Sequence, residues 1–121
     1  MTRSGKVAVV DDDDGVRDSL VCLLESFGYD AVGFPSAGDF LAGDVRAVRC
    51  LILDQQMPEM TGLQLTAKLQ AERTNLPILL VTGAPSPEIA AQAAQLGLGA
   101  VPEKPLREED ILTFVNATFA H

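Results

Sequence analysis

Five short apolar runs punctuate the chain, and each gives way to polar or turn residues. Val7-Ala8-Val9-Val10 runs into Asp11-Asp12, Leu51-Ile52-Leu53 into Asp54, and Ile78-Leu79-Leu80-Val81 into Thr82-Gly83. Gly99-Ala100-Val101 leads to Glu103-Lys104-Pro105, and Ala31-Val32-Gly33-Phe34 completes the set. Continuous runs of this length read as strands buried on both faces. Between them, apolar residues recur at helical spacing. Val16, Leu20, Leu23, Leu24 and Phe27 follow the first strand, Ile89, Ala90, Ala93, Ala94 and Leu96 the fourth, and Ile111, Leu112, Val115 and Phe119 the fifth. The alternation predicts an α/β fold: a doubly wound five-stranded parallel sheet with helices on both faces, in one domain over 1–121.

Strands are predicted over 6–11, 31–34, 50–54, 78–81 and 99–102. Gly28 stops the first helix. Ser36 caps a short second helix with Asp39 three residues on, and Thr61-Gly62-Leu63-Gln64 is a capping box that starts the third. Ser86, Pro87 and Glu88 open the fourth as cap, first-turn proline and dipole partner. Pro102 puts the fifth strand at the rim of the sheet, since a proline cannot donate to a ladder.

Composition changes this picture little. A chain of 121 residues with 47% hydrophobic content can bury its own core. Cys22 and Cys50 have neither zinc nor redox spacing and are expected to be reduced core residues of a cytoplasmic protein. No run approaches the ~18 apolar residues of a membrane helix, and no charged-then-apolar leader is evident. A net charge of −8, with the opening six residues as the one basic cluster, argues against direct contact with nucleic acid.

The chemistry lies at the strand ends. In an open α/β sheet the ligand site sits beyond the carboxyl ends of the strands, at the point where their order reverses. Asp11 and Asp12 are adjacent, so strand alternation separates their side chains, yet at a strand end both can lean toward one cation. With Asp54 they make three carboxylates, and at least one is driven toward protonation unless a cation compensates. Oxygen-only ligands in an incomplete set suit magnesium. Asp54 can then act as a carboxylate nucleophile, with Lys104 and Thr82 meeting charge on phosphoryl oxygens. Asp13 and Asp14 read instead as a helix N-cap and its solvated neighbour.

Four segments carry a resemblance that covers essentially the whole chain: Val-Val-Asp-Asp at 9–12, Leu-Ile-Leu-Asp-Gln-Gln-Met-Pro-Glu-Met-Thr-Gly at 51–62, Val-Thr-Gly at 81–83 and Glu-Lys-Pro at 103–105. In that order and at those separations they resemble the receiver domain of two-component response regulators, and look most like the nitrogen-fixation and nodulation regulators. The resemblance implies a flavodoxin-like (CheY-like) sheet of order 2-1-3-4-5 with five helices. It implies that Asp54 is the phosphoacceptor, charged from a phosphohistidine of a sensor histidine kinase. Mg2+ would be bound by Asp12, Asp54 and the backbone carbonyl of Gln56, with Asp11 contributing largely through water. Thr82 and Lys104 would take phosphoryl oxygens, and the Lys104–Pro105 bond would be cis. Chemistry beyond metal-dependent self-phosphorylation and slow self-dephosphorylation is not expected.

The chain departs from the family three residues before the lysine. Family members usually carry Tyr or Phe there, and Val101 has one stiff χ1 and no large lever. The family's surface of helix four, strand five and helix five is still the expected site of homodimerisation or docking. A C-terminal helix-turn-helix output domain outside this chain is one expected partner, in transcription regulation. Gln56 has a side chain able to position water near an acyl phosphate, whereas Ala84 does not. Two rivals remain. A magnesium-dependent phosphatase would want a second Asp two residues past the nucleophile, where Gln56 stands. A receiver-like module could also act by protein contacts without phosphorylation.

Overall fold

Four of the five apolar runs pair into one parallel sheet, and the fifth does not. The computed structural model describes residues 5–120, so most of the basic opening predicted from the sequence lies outside the described residues. In chain order the elements are β1 (Lys6–Val10), α1 (Asp14–Ser26), β2 (Ala31–Phe34) and α2 (Ala37–Ala42). A 3-10 turn at Val45–Ala47 precedes β3 (Val48–Asp54), α3 (Gly62–Ala71), β4 (Ile78–Val81), α4 (Pro87–Gln95) and α5 (Glu108–Phe119). The strands are ordered β2-β1-β3-β4, all parallel.

The predicted fifth strand is a correction: residues 99–101 form no ladder, and only Thr82 and Glu103 make a parallel bridge. Thr82 donates its N–H to the Pro102 carbonyl at 3.1 Å, and Lys104 donates to the Thr82 carbonyl at 2.8 Å. The next rung toward the N-terminus would need an N–H from residue 102 to the Leu80 carbonyl. Proline has none, so the ladder stops after one bridge.

Strand alternation feeds two cores. Ala8, Val10, Leu51 and Leu53 pack with Phe40, Leu65, Leu69 and Ala93 on the face covered by α2, α3 and α4. Val7, Val9, Cys50 and Ile52 pack with Leu24, Ile111 and Val115 on the face covered by α1 and α5. Burial on both faces is why these strands read as unbroken apolar runs rather than as alternating ones.

The caps are as the sequence predicts. Asp13, Ser36, Thr61 and Ser86 each accept a backbone N–H at a helix start, and Thr61 with Gln64 completes the capping box. Three helices end in the same way. Gly28, Arg73 and Gly97 adopt positive φ, and the following N–H reaches back to Leu24, Leu69 and Ala93 respectively.

Some predicted apolar faces are narrower than expected. Val16 and Phe27 are 37% and 43% exposed: Val16 lines the cavity beside Asp11 and Asp54, and Phe27 is already the C-cap of α1. Ala90 and Ala94 also face outward, leaving Ala93 with the half-buried Ile89 and Leu96 to seat α4. Cys22 is exposed on α1, against the expectation of a core residue, while Cys50 is buried and its thiol is pushed up to about 11 chiefly by burial. No helix among the described residues is long and apolar enough to cross a membrane.

Candidate functional site

The carboxyl ends of β1 and β3 lie side by side in the middle of the sheet, and three acidic residues emerge there. Asp11 extends β1 by one bond, its N–H donating to the Phe34 carbonyl at 3.2 Å. Its Oδ1 then accepts the N–H of Asp13 at 2.9 Å, which bends the chain into the α1 N-cap. This turn resolves the alternation problem: Asp11 is turned inward and buried, while Asp12 stands exposed beside it. Asp54 closes β3 opposite Val81. Carboxylate oxygens of Asp11, Asp12 and Asp54 all lie within 4.8 Å of one another.

Lys104 reaches this cluster from beyond β4, on the segment that bridges to Thr82. Its Nζ donates to Asp11 Oδ2 at 2.8 Å and lies 3.2 Å from Asp54 Oδ1. The second contact is an ion pair without hydrogen-bond alignment, so the buried Asp54 Oδ1 has no hydrogen-bond partner among the described residues. Burial and then the neighbouring Asp11 charge push the Asp54 carboxyl up to about 6, against the opposing pull of Lys104 and the Gln56 N–H. Burial works to lower the Lys104 pKa, but its hydrogen bond to Asp11, its close contact with Asp54 and the charges of both outweigh it and the value is raised.

The oxygen donors and the unpartnered buried oxygen fit a hard divalent cation. One lysine cannot fully compensate three carboxylates this close, and an incomplete ligand set leaves room for waters and a phosphate. The cluster opens into a cavity of about 760 Å³ bounded by Val16 and Leu20 of α1 and by Pro105 and Leu106. The Lys104–Pro105 bond is cis.

Thr82 follows Val81, so it stands one residue beyond the strand position facing Asp54, and it is fully buried. The Gln56 side chain reaches across to the loop after β4. Its Nε2 lies 2.6 Å from Thr82 Oγ1, and its Oε1 accepts the Gly83 N–H at 3.0 Å. Val101 is elsewhere, half-buried against the core on the α4 side.

Three positioning features were missed from the sequence. Gln55 is buried, and its Oε1 accepts the Leu63 N–H at 2.8 Å, fixing the start of α3 to the loop after Asp54. Gly62 packs directly on that loop, where a Cβ would stand 2.6 Å from the Asp54 carbonyl oxygen. Arg17 donates to the Asp11 carbonyl at 2.9 Å and lays its side chain over Gly33. Only Gly62 leaves a trace in the sequence, as the glycine just inside a capping box; an isolated Gln or Arg gives no signal of its partner.

Comparison with known proteins agrees with this geometry. The response regulator receiver domain family matches residues 7–116. The chain is 40% identical over 115 residues to the transcriptional regulatory protein TdiR of Thauera aromatica, covering 94% of this chain and 51% of that protein. It is 38% identical over 114 residues to the transcriptional regulatory protein FixJ of Bradyrhizobium diazoefficiens, covering 93% and 55%. Among solved structures, the crystal structure of FixJ-N superposes with a TM-score of 0.85 at 30% identity, covering 99% of this chain and 97% of that one. The chain spans about half the length of these two regulators. Receiver domains generally bind magnesium in an acidic pocket, and this chain gathers Asp11, Asp12 and Asp54 into one acidic cluster. By sequence and by fold, then, the chain belongs to the receiver domains of two-component response regulators, a family of phosphorylation-based switches related to transcriptional regulators.

Proposed function

We propose that Asp54 is the phosphoacceptor of this receiver and takes its phosphoryl group from a phosphohistidine on a sensor histidine kinase. One observation carries the assignment. The Asp54 carboxylate is 4% exposed, yet its Oδ1 has no hydrogen-bond partner among the described residues and an ammonium stands 3.2 Å away. A pKa of about 6 leaves the group ionised at neutral pH and keeps it basic for a carboxylate. In the transfer a carboxylate oxygen of Asp54 attacks phosphorus. The P–N bond breaks as the P–O bond forms, and the imidazole nitrogen leaves with the bonding pair. Lys104, already placed between Asp11 and Asp54, meets the negative charge of the phosphoryl oxygens, and the Thr82 hydroxyl donates to one of them.

Asp12, Asp54 and the Gln56 carbonyl would hold the magnesium ion directly, and Asp11, already engaged by Lys104 and the Asp13 N–H, largely through water. The ion supplies the positive charge that offsets the carboxylates and the incoming phosphoryl group.

The whole chain, residues 1–121, serves as one phosphoacceptor domain in the cytoplasm. Added charge on Asp54 biases the loops carrying Thr82 and Lys104 between two arrangements. The output surface is α4, residues 99–104 and α5, used for homodimerisation or for docking a helix-turn-helix output domain in transcription regulation. The acidic chain leaves contact with DNA to that output domain.

Intact mass after incubation with acetyl phosphate and magnesium tests the reading. A gain of one phosphoryl group, lost with EDTA and lost in the Asp54→Asn protein, is the expected result. No gain, with acetyl phosphate or with a cognate kinase, would favour a module that acts by contacts alone.

A further inference from the structure

The Gln56 carboxamide bridges the loop after β3 to the loop after β4, and the direction of each bond can be assigned. The Gly83 backbone N–H can only donate, so the end of the amide it meets at 3.0 Å is the oxygen. The amide NH2 therefore faces Thr82 Oγ1, at 2.6 Å. The same Oγ1 accepts the Ala84 N–H at 3.0 Å. A hydroxyl oxygen has two acceptor lone pairs and one proton. With both lone pairs occupied, the Thr82 hydroxyl retains only its donor capacity.

Packing does not hold this loop. Gly83, Ala84 and Pro85 are exposed, and a Cβ placed on Gly83 would meet nothing nearer than Lys104 Cδ at 3.9 Å. The Thr82–Glu103 bridge ties the loop to the next segment, and among the described residues the side-chain bonds tying it to the acceptor segment come from Gln56.

We propose that Gln56 is a positioning residue that acts through Thr82. Its NH2 fills the acceptor side of the hydroxyl, so that the proton is committed to the phosphoryl group on Asp54, while its carbonyl oxygen keeps Gly83 in register. The inference rests on the reading of Asp54 as acceptor and Thr82 as phosphoryl ligand. It differs from a water-positioning role in that the carboxamide acts through its bonds to Thr82 and Gly83.

The test is a double-mutant cycle on the initial rate of phosphorylation by acetyl phosphate with magnesium, followed by intact mass. Gln56→Met keeps the length of the side chain and removes both bonds, and should slow the reaction about five- to tenfold, as expected for loss of a hydrogen bond. In a Thr82→Ala background the same change should alter the rate by less than about twofold. Gln56→Glu keeps an acceptor for Gly83 but presents one to Thr82 as well, drawing the hydroxyl proton away. It should also slow the parent, and any part of its effect due to charge alone would persist with Thr82→Ala. Thr82→Ser, which keeps the hydroxyl, should restore the sensitivity to Gln56→Met, and Thr82→Val, which keeps the side-chain shape without the hydroxyl, serves as the second background if Thr82→Ala folds poorly. Independently of phosphorylation, the Gly83 amide should exchange faster in the Gln56→Met protein. A parent-like rate for Gln56→Met, or an equal loss with and without the Thr82 hydroxyl, would overturn the proposal. A parent that gains no phosphoryl group would overturn the acceptor reading beneath it.

Discussion

Replacing Asp54 with asparagine should make the metal-free protein more stable at neutral pH, even though it deletes the proposed nucleophile. The Asp54 carboxyl is raised from an ordinary value of 3.8 to about 6, first by burial and then by the Asp11 charge. A folded-state pKa above the unfolded one means that the unfolded chain releases its proton first as pH climbs. Stability is therefore unaffected below about pH 4, declines between about 4 and 6, and carries the full penalty above that window. The gap between 3.8 and about 6 corresponds to roughly 3 kcal/mol at about pH 7.5, an upper figure because asparagine only approximates the neutral acid. Urea unfolding followed by circular dichroism, with EDTA present, should show Asp54→Asn more stable than the parent by about 1–3 kcal/mol at about pH 7.5. The difference should shrink toward zero as pH falls to about 4. Magnesium should then raise the parent's stability more than that of the Asp54→Asn protein, because binding to the folded state alone adds stability by mass action. An Asp54→Asn protein no more stable than the parent at about pH 7.5, or a gain that does not fade in acid, would refute the reasoning.

Three further outcomes follow from the packing. Gly62→Ala should destabilise by about 1–3 kcal/mol and slow phosphorylation, since its Cβ would press on the Asp54 carbonyl and on Leu80 Cδ1, each at 2.6 Å; urea titration and the mass assay check the two effects. Arg73→Gly should stabilise by about 0.5–1 kcal/mol, because φ of 59° costs a side-chain-bearing residue more than the chain entropy glycine adds; the shift in urea midpoint measures it. Iodoacetamide should label Cys22 in the folded protein and Cys50 only after unfolding, given that Cys22 is exposed while Cys50 is buried with its thiol pushed up to about 11; peptide mapping distinguishes them.

What could be read from the sequence follows from how local each feature is. Apolar runs, caps and the helix stop at Gly28 are written within a few residues of where they act, and β1 to β4 and all five helices formed accordingly. The fifth strand failed because one missing N–H, at Pro102, decides a rung that apolar patterning cannot see. At the site, the convergence of Asp11, Asp12, Asp54 and Lys104 was legible because each closes or follows an apolar run whose place in a parallel sheet is fixed. The contacts of Gln55, Gln56 and Arg17 were not. A long polar side chain chooses its partner across a loop, and no periodicity records that choice. Val101 shows the reverse case: its identity was plain in the sequence, and its packing against the α4-side core is what the structure adds.

The central claim, that Asp54 receives the phosphoryl group, is tested most directly by trapping the product. Borohydride reduces an aspartyl phosphate to homoserine, and peptide mass spectrometry of the phosphorylated protein then locates the reduced residue. The account predicts homoserine at position 54, appearing only with magnesium and a phosphodonor. Reduction at Asp11, Asp12 or any other carboxylate in place of Asp54, or none in a protein that has gained phosphoryl mass, would contradict it.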